Sequence, residues 1–84
     1  MNKIDLPTFF LSVASAAFRG LGFSENGQMD GEINLELAKQ NIDLLELMDE
    51  KTKGNRTSDE DQLIQQLLFQ LRLKYVEIEK SKKA

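Results

Sequence analysis

Charged side chains that could bind a ligand cluster in two adjacent segments of the sequence. The first is the acidic run from Asp59 to Asp61, whose carboxylates are ligands that hard metal ions prefer. The run lacks the alternating ligands and the closing glutamate of a calcium-binding loop. At the start of a helix, the same carboxylates interact favourably with free backbone amides. Helix capping therefore explains the run, and we expect no metal and no cofactor.

The second segment is basic and contains Lys51, Lys53 and Arg56. It lies between two predicted helices, next to the amides that open the second of them, and such a place can bind a phosphate or a carboxylate. The two lysines equally suit the last turn of a helix that ends at Gly54, where positive charge interacts favourably with the helix dipole. We favour this structural interpretation, with an anion-binding turn as the alternative.

The composition excludes several functional classes. The chain has no histidine and no cysteine, so it lacks the commonest general base, the commonest zinc ligand and any thiolate nucleophile. Fourteen acidic against eleven basic residues give a net charge of -3, whereas nucleic-acid-binding domains are usually basic. No window approaches the roughly 18–20 apolar residues of a membrane-spanning helix. We expect no catalytic residue, no membrane and no nucleic-acid partner.

The N-terminal apolar run has two interpretations. Ala14-Ser15-Ala16 matches the small-residue cleavage pattern of a signal peptide. Asp5 and Pro7 interrupt the run early, however, and polar residues recur along it at helical spacing. These polar residues are Thr8, Ser12, Ser15 and Arg19. We therefore predict a buried amphipathic helix and a cytoplasmic protein, which the absence of cysteine also favours.

Hydrophobic periodicity predicts an all-α fold in a single domain, 1–84. The predicted helices span about 6–19, 35–53 and 58–80. A glycine-rich loop, 20–33, separates the first two helices, and a pair of short strands around Met29 is an open alternative within it. The last residues, 81–84, form a basic tail. Because the turn at Gly54 is short, we predict that the last two helices form an antiparallel hairpin.

Residues that favour helix ends lie at the boundaries of these segments. The predicted N-caps are Asp5, Asn34 and Thr57. Thr57 and Glu60 together match a capping box, in which each side chain bonds the backbone amide of the other residue. Gly20 and Gly54 are the predicted stops, because glycine readily adopts the left-handed conformation that ends a helix.

Apolar side chains cover more of the helical surface than three helices in one chain can bury. The second helix has one apolar stripe, which Leu37 and Leu44 widen. The first helix, by contrast, has an apolar arc of roughly 200°. The third helix has a second apolar patch nearly opposite its main face. Exposing these surfaces to water would exceed what a soluble monomer usually tolerates, so we predict a homodimer. The predicted interface residues are Phe9, Phe10, Val13, Ala17, Phe69, Leu73 and Val76.

Several short motifs, spread from about Thr8 to Glu77, match the pattern of a known family. The most specific is Glu50-Lys51-Thr52-Lys53-Gly54-Asn55, followed by Thr57. The others are Phe9-x-x-Ser12-x-Ala14-x-x-Ala17, Leu21-Gly22, the segments 34–38 and 42–45, Leu71-Arg72 and Tyr75-Val76. Together they resemble the short bacterial proteins of the family called domain of unknown function 1844.

This resemblance implies a bacterial, cytoplasmic protein and brings no established activity, cofactor or catalytic residue. The chain departs from the family pattern at Asn34, where aspartate is expected, and at Arg56, where leucine is expected. Asparagine caps a helix as well as aspartate does, so the departures affect only the packing of the turn.

The sequence therefore predicts a small, self-associating protein-interaction module without catalytic activity, whose partner is a second copy of itself or another protein. The alternative is an RNA- or ribosome-associated protein that uses Lys51, Lys53, Arg56 and the lysines of the tail. Salt dependence separates the two, because phosphate contacts release counterions and apolar interfaces do not.

Overall fold

The computed structural model describes residues 5–24, 28–29 and 31–83. Parts of the predicted loop and tail (25–27, 30 and 84) lie outside the described residues. The described residues form three helices in the order α1 (Leu6–Gly20), α2 (Leu35–Lys51) and α3 (Ser58–Lys83). Within the described residues there is no strand, and Phe23 and Met29 form an isolated antiparallel bridge. The prediction of an all-α fold is confirmed.

Local side-chain hydrogen bonds set the start of each helix. The Asp5 carboxylate accepts from the Thr8 backbone amide at 2.9 Å. Hydrogen bonding to the Thr8 side chain, and secondly to this amide, lowers the pKa of Asp5. The Asn34 amide oxygen accepts from the Leu37 amide at 3.1 Å. All three predicted N-caps are present, since Thr57 Oγ1 also accepts from the backbone amide of the third residue after it, at 3.1 Å.

The end of α1 differs from the prediction at Gly20. This glycine lies inside the helix, and Gly22 is the residue with positive φ, at 95°. A Cβ on Gly20 would lie 2.7 Å from the Ala38 nitrogen, and the Gly20 carbonyl accepts from the Asn34 amide at 2.7 Å. The close approach of α1 and α2 therefore explains this glycine, and the predicted left-handed stop at Gly20 is wrong.

The other two helix ends lie close to their predicted positions. The turn after α2 contains Gly54 at a φ of 87°, as predicted, although α2 ends at Lys51, two residues earlier than expected. Helix α3 continues to Lys83, so residues 81–83 of the predicted basic tail are helical. At 1.5 Å per residue, α3 is about 39 Å long.

The core lies where the three helices meet. Each helix contacts both of the others, so α1 is covered from two sides and the part of its apolar arc that faces them is buried. Its largest fully buried side chain is Phe10, which packs in one cluster with Leu45, Ile64 and Leu68. After α1, Phe23 covers the edge of this core: its ring meets that of Phe18 edge to face at a centroid distance of 6.0 Å.

Candidate functional site

The outer face of α3 carries three large apolar side chains that the fold leaves exposed. Phe69 is 68% exposed, Leu73 49% and Val76 43%. At 100° per residue, their mean direction lies about 160° from that of the buried residues of the same helix. Those buried residues are Ile64, Leu67, Leu68, Leu71 and Ile78. We call Phe69, Leu73 and Val76 the outer patch.

The outer patch is the apolar centre of a longer row of exposed side chains. Gln62 and Gln66 precede it and Lys80 follows it, and all three are exposed. The six residues are separated alternately by four and three positions, the spacing at which the seam of a coiled coil repeats. A second helix lying along α3 would therefore meet apolar side chains at the middle of the row and polar ones at both ends.

A hollow adjoins the outer patch between α2 and α3. It has a volume of about 190 Å³, and Ile42, Tyr75 and Val76 contribute its apolar wall. Its rim is charged and includes an ion pair between Arg72 of α3 and Glu46 of α2, at 3.4 Å. Because Val76 belongs to both, the outer patch and the hollow form one continuous surface.

Three of the four predicted interface residues of α1 do not lie on the molecular surface. Phe9 is exposed, but Phe10, Val13 and Ala17 are buried within the chain. The assignment of these three residues to an interface is therefore wrong, because α2 and α3 together cover the side of α1 on which they lie. The corrected set of candidate interface residues is Phe9 and the outer patch.

A second exposed apolar row lies on α2 and was not predicted. Leu37, Leu44 and Leu47 are each between 41% and 48% exposed. In the sequence, Leu37 and Leu44 widen the apolar stripe of α2, and nothing in that pattern alone predicted that they are exposed. Their spacing of seven and three is also that of a coiled-coil seam, a signal that could have identified the row. Gln40, which lies between Leu37 and Leu44, and Lys51, which follows Leu47, occupy the same row and are both exposed.

The basic turn has a different structure from an anion site. The Arg56 side chain is only 4% exposed, and its two terminal nitrogens contact Asp49 and Asp61, each at 2.5 Å. The hydrogen bond with Asp49 is the main cause that raises the pKa of Arg56. Gln65 donates to the same Asp49 oxygen at 3.0 Å. Arg56 thus links the end of α2 to the start of α3, and its assignment as an anion ligand is wrong.

The remaining groups of the turn are poorly suited to bind an anion. Lys51 and Lys53 are exposed, but the start of α3 bears the three carboxylates of residues 59–61. The capping box is complete, since the Thr57 amide donates to Glu60 Oε1 at 2.8 Å and the Glu60 amide donates to Thr57 Oγ1. Two of the amides that could have held an anion are therefore already bonded.

The described residues contain neither a metal-binding cluster nor a membrane-spanning helix. Among these residues, His, Cys, Asp and Glu side chains nowhere form a group of three that could hold a metal ion. In that same part of the chain, no helix combines the length and apolar character needed to cross a membrane.

Over the residues that the structure describes, the fold is that of a small all-α protein with three helices and two exposed apolar rows. The chain belongs to the family described as Domain of unknown function (DUF1844), whose model matches residues 3–77. The matched region includes the outer patch and the turn around Gly54. No curated protein and no solved structure matches the chain.

Proposed function

We propose that this protein is a self-associating protein-interaction module without catalytic activity, and that it forms a homodimer through the outer patch of α3. The observation that carries the proposal is the exposure of Phe69, Leu73 and Val76 on the side of α3 that faces away from the core. Side chains of this size at seam spacing are typical of a helix that packs against another helix.

The energetics support association. Fully burying one large apolar side chain contributes roughly 1.5–3 kcal/mol. A two-fold interface repeats the patch on both chains, so six partly exposed side chains would leave water together. A chain of 84 residues forms a small core of its own, and additional apolar burial stabilises it further.

The proposal includes an antiparallel hairpin of α2 and α3, because such a hairpin holds the outer patch on a supported helix. Two contacts favour it. Asp49, close to the end of α2, bonds Gln65, while Glu46, one turn earlier, pairs with Arg72, about two turns later in α3. Contacts that move backward along α2 while they move forward along α3 are those of antiparallel neighbours.

We further propose that the protein acts in the bacterial cytoplasm. The family resemblance supports this location. The absence of cysteine from the sequence agrees with it, because proteins of reducing compartments do not depend on disulfides.

RNA or ribosome association is the second candidate. It rests on the exposed Lys51 and Lys53 and on the lysines that end α3. Burial of Arg56 between two carboxylates removes one of its three proposed contacts in the turn. A micromolar complex with RNA that weakens steeply with salt would reverse the ranking, since neutralised phosphates release counterions.

The proposed function can be tested by introducing a charged residue into the outer patch and measuring the assembly state. We expect Phe69→Glu to lower the sedimentation coefficient to that of a monomer at concentrations where the unmodified protein is dimeric. Leu11→Glu is the matched control, because Leu11 is exposed on α1 and lies outside the patch. It should leave the dimer intact. Equal effects of the two variants, or none from Phe69→Glu, would refute the outer patch as the interface.

A further inference from the structure

We infer that the two copies of α3 run antiparallel in the homodimer, with Phe69 of each chain facing Leu73 of its mate. This inference rests on the proposed function, since it names the partner helix and its direction at the same surface. It goes beyond self-association because the outer patch alone would accept a partner helix in either direction.

The charges at the two ends of α3 favour the antiparallel direction. The first turn contains Asp59, Glu60 and Asp61, and the exposed Lys80 precedes two further lysines in the last turns of the helix. A parallel dimer would bring acidic ends together and basic ends together. An antiparallel dimer places each acidic end beside a basic end, and it also opposes the helix dipoles. Such charges fix orientation more strongly than they add affinity.

The spacing of the exposed row selects the register. When Phe69 faces Leu73 of the mate, Gln66 faces Val76 and Gln62 faces Lys80, because antiparallel partners step in opposite directions along equal repeats. The two-fold axis repeats each of these pairs. The Phe69–Leu73 pairs then lie at the centre of the interface, the mixed Gln66–Val76 pairs flank them, and the polar Gln62–Lys80 pairs lie at its ends, where water reaches them.

Parallel pairing of the same row is less favourable at its ends. There each residue would face its own copy, so that Lys80 would meet Lys80 of the mate. The antiparallel register has one like-charge approach of its own, between the two Arg72 side chains near the axis. In each chain, however, the Arg72 guanidinium lies 3.4 Å from its own Glu46 carboxylate, which offsets that repulsion.

The absence of cysteine from the sequence permits a direct test by disulfide formation between single-cysteine variants. Gln62→Cys and Lys80→Cys are produced separately, mixed, allowed to exchange chains, oxidised mildly and analysed by mass spectrometry. We expect the disulfide between the two different variants to exceed either self-linked product by at least about tenfold, because bridged Cα atoms must lie within about 7 Å. In this register, position 62 is about 27 Å along the axis from its own copy.

The control replaces Lys80→Cys with Ser81→Cys. Ser81 is exposed and lies about 100° around the helix from Lys80, so it should form little disulfide with Gln62→Cys. Self-linked Gln62→Cys and Lys80→Cys as the main products would overturn the inference and indicate parallel helices.

The outcome separates this inference from the proposed function. If the mixture sediments as a dimer but the Gln62→Cys and Lys80→Cys chains do not link to each other, the register is wrong and self-association stands. If the unmodified protein and both variants sediment as monomers, the proposed function itself fails, and the inference fails with it.

Discussion

At the scale of single residues, the environment of Arg56 is a feature that the sequence did not predict. Its place beside Lys53 in a glycine-containing turn indicated a solvent-exposed cation. The partners that bury it, Asp49 and Asp61, lie seven residues before it and five after it, and only the direction of the chain through the turn brings them together. Local spacing could identify the capping box at Thr57 because its two residues lie within one helical turn.

Removing the Arg56 side chain should destabilise the fold. We expect Arg56→Ala to lower the free energy of unfolding by about 1–3 kcal/mol, because it leaves two carboxylates close together without their partner. Arg56→Leu should cost less than Arg56→Ala, since leucine refills part of the buried volume, although it too leaves both carboxylates without their partner. Leucine is also the residue that the family resemblance leads us to expect there.

Urea denaturation at one fixed protein concentration measures these changes. Lys53→Ala is the control, because Lys53 is exposed in the same turn and such substitutions usually change stability by less than about 0.5 kcal/mol. If Arg56→Ala costs no more than Lys53→Ala, Arg56 does not link the two helices in solution.

At the scale of the helices, the sequence predicted the features that depend on residues close together in the chain. The three helices, their N-caps and the turn at Gly54 follow from patterns within one or two turns. The role of Gly20 does not follow from such local patterns, because the backbone that approaches it belongs to Ala38, eighteen residues later. The same limit applies to α1: its apolar arc was visible in the sequence, but the side on which two other helices would cover it was not.

Asparagine substitutions should separate the two kinds of glycine. A side chain at Gly20 would meet the Ala38 backbone at 2.7 Å, so we expect Gly20→Asn to cost about 1–3 kcal/mol through overpacking. At Gly54 nothing lies within 4 Å of an added Cβ, and asparagine tolerates positive φ. Gly54→Asn should therefore cost less than about 0.5 kcal/mol.

Thermal and urea unfolding of both glycine variants, compared with the unmodified protein, provide the measurement. Equal losses of unfolding free energy at the two positions would contradict the close helix contact at Gly20. They would indicate that the substitutions act only through the backbone conformation of glycine.

At the scale of the whole molecule, the sequence predicted more apolar surface than one chain can bury, but it did not predict correctly which apolar residues are buried and which are exposed. It assigned Phe10, Val13 and Ala17 to the surface, whereas they are core residues. It also counted Leu37 and Leu44 with the apolar stripe of α2, although both side chains are exposed. The second apolar face of α3 was recognisable because it lies nearly opposite the main one, and no arrangement of two neighbouring helices on that main face could cover it.

The mass of the protein in solution tests the central claim of self-association most directly. Sedimentation equilibrium at micromolar concentration should give about 19 kDa, twice the 9.6 kDa of one chain, because a homodimer buries the outer patch of both copies. Dilution should lower the apparent mass and the melting temperature together, since association stabilises the folded chain by mass action. A mass near 9.6 kDa with a cooperative thermal melt that does not depend on concentration would contradict the claim.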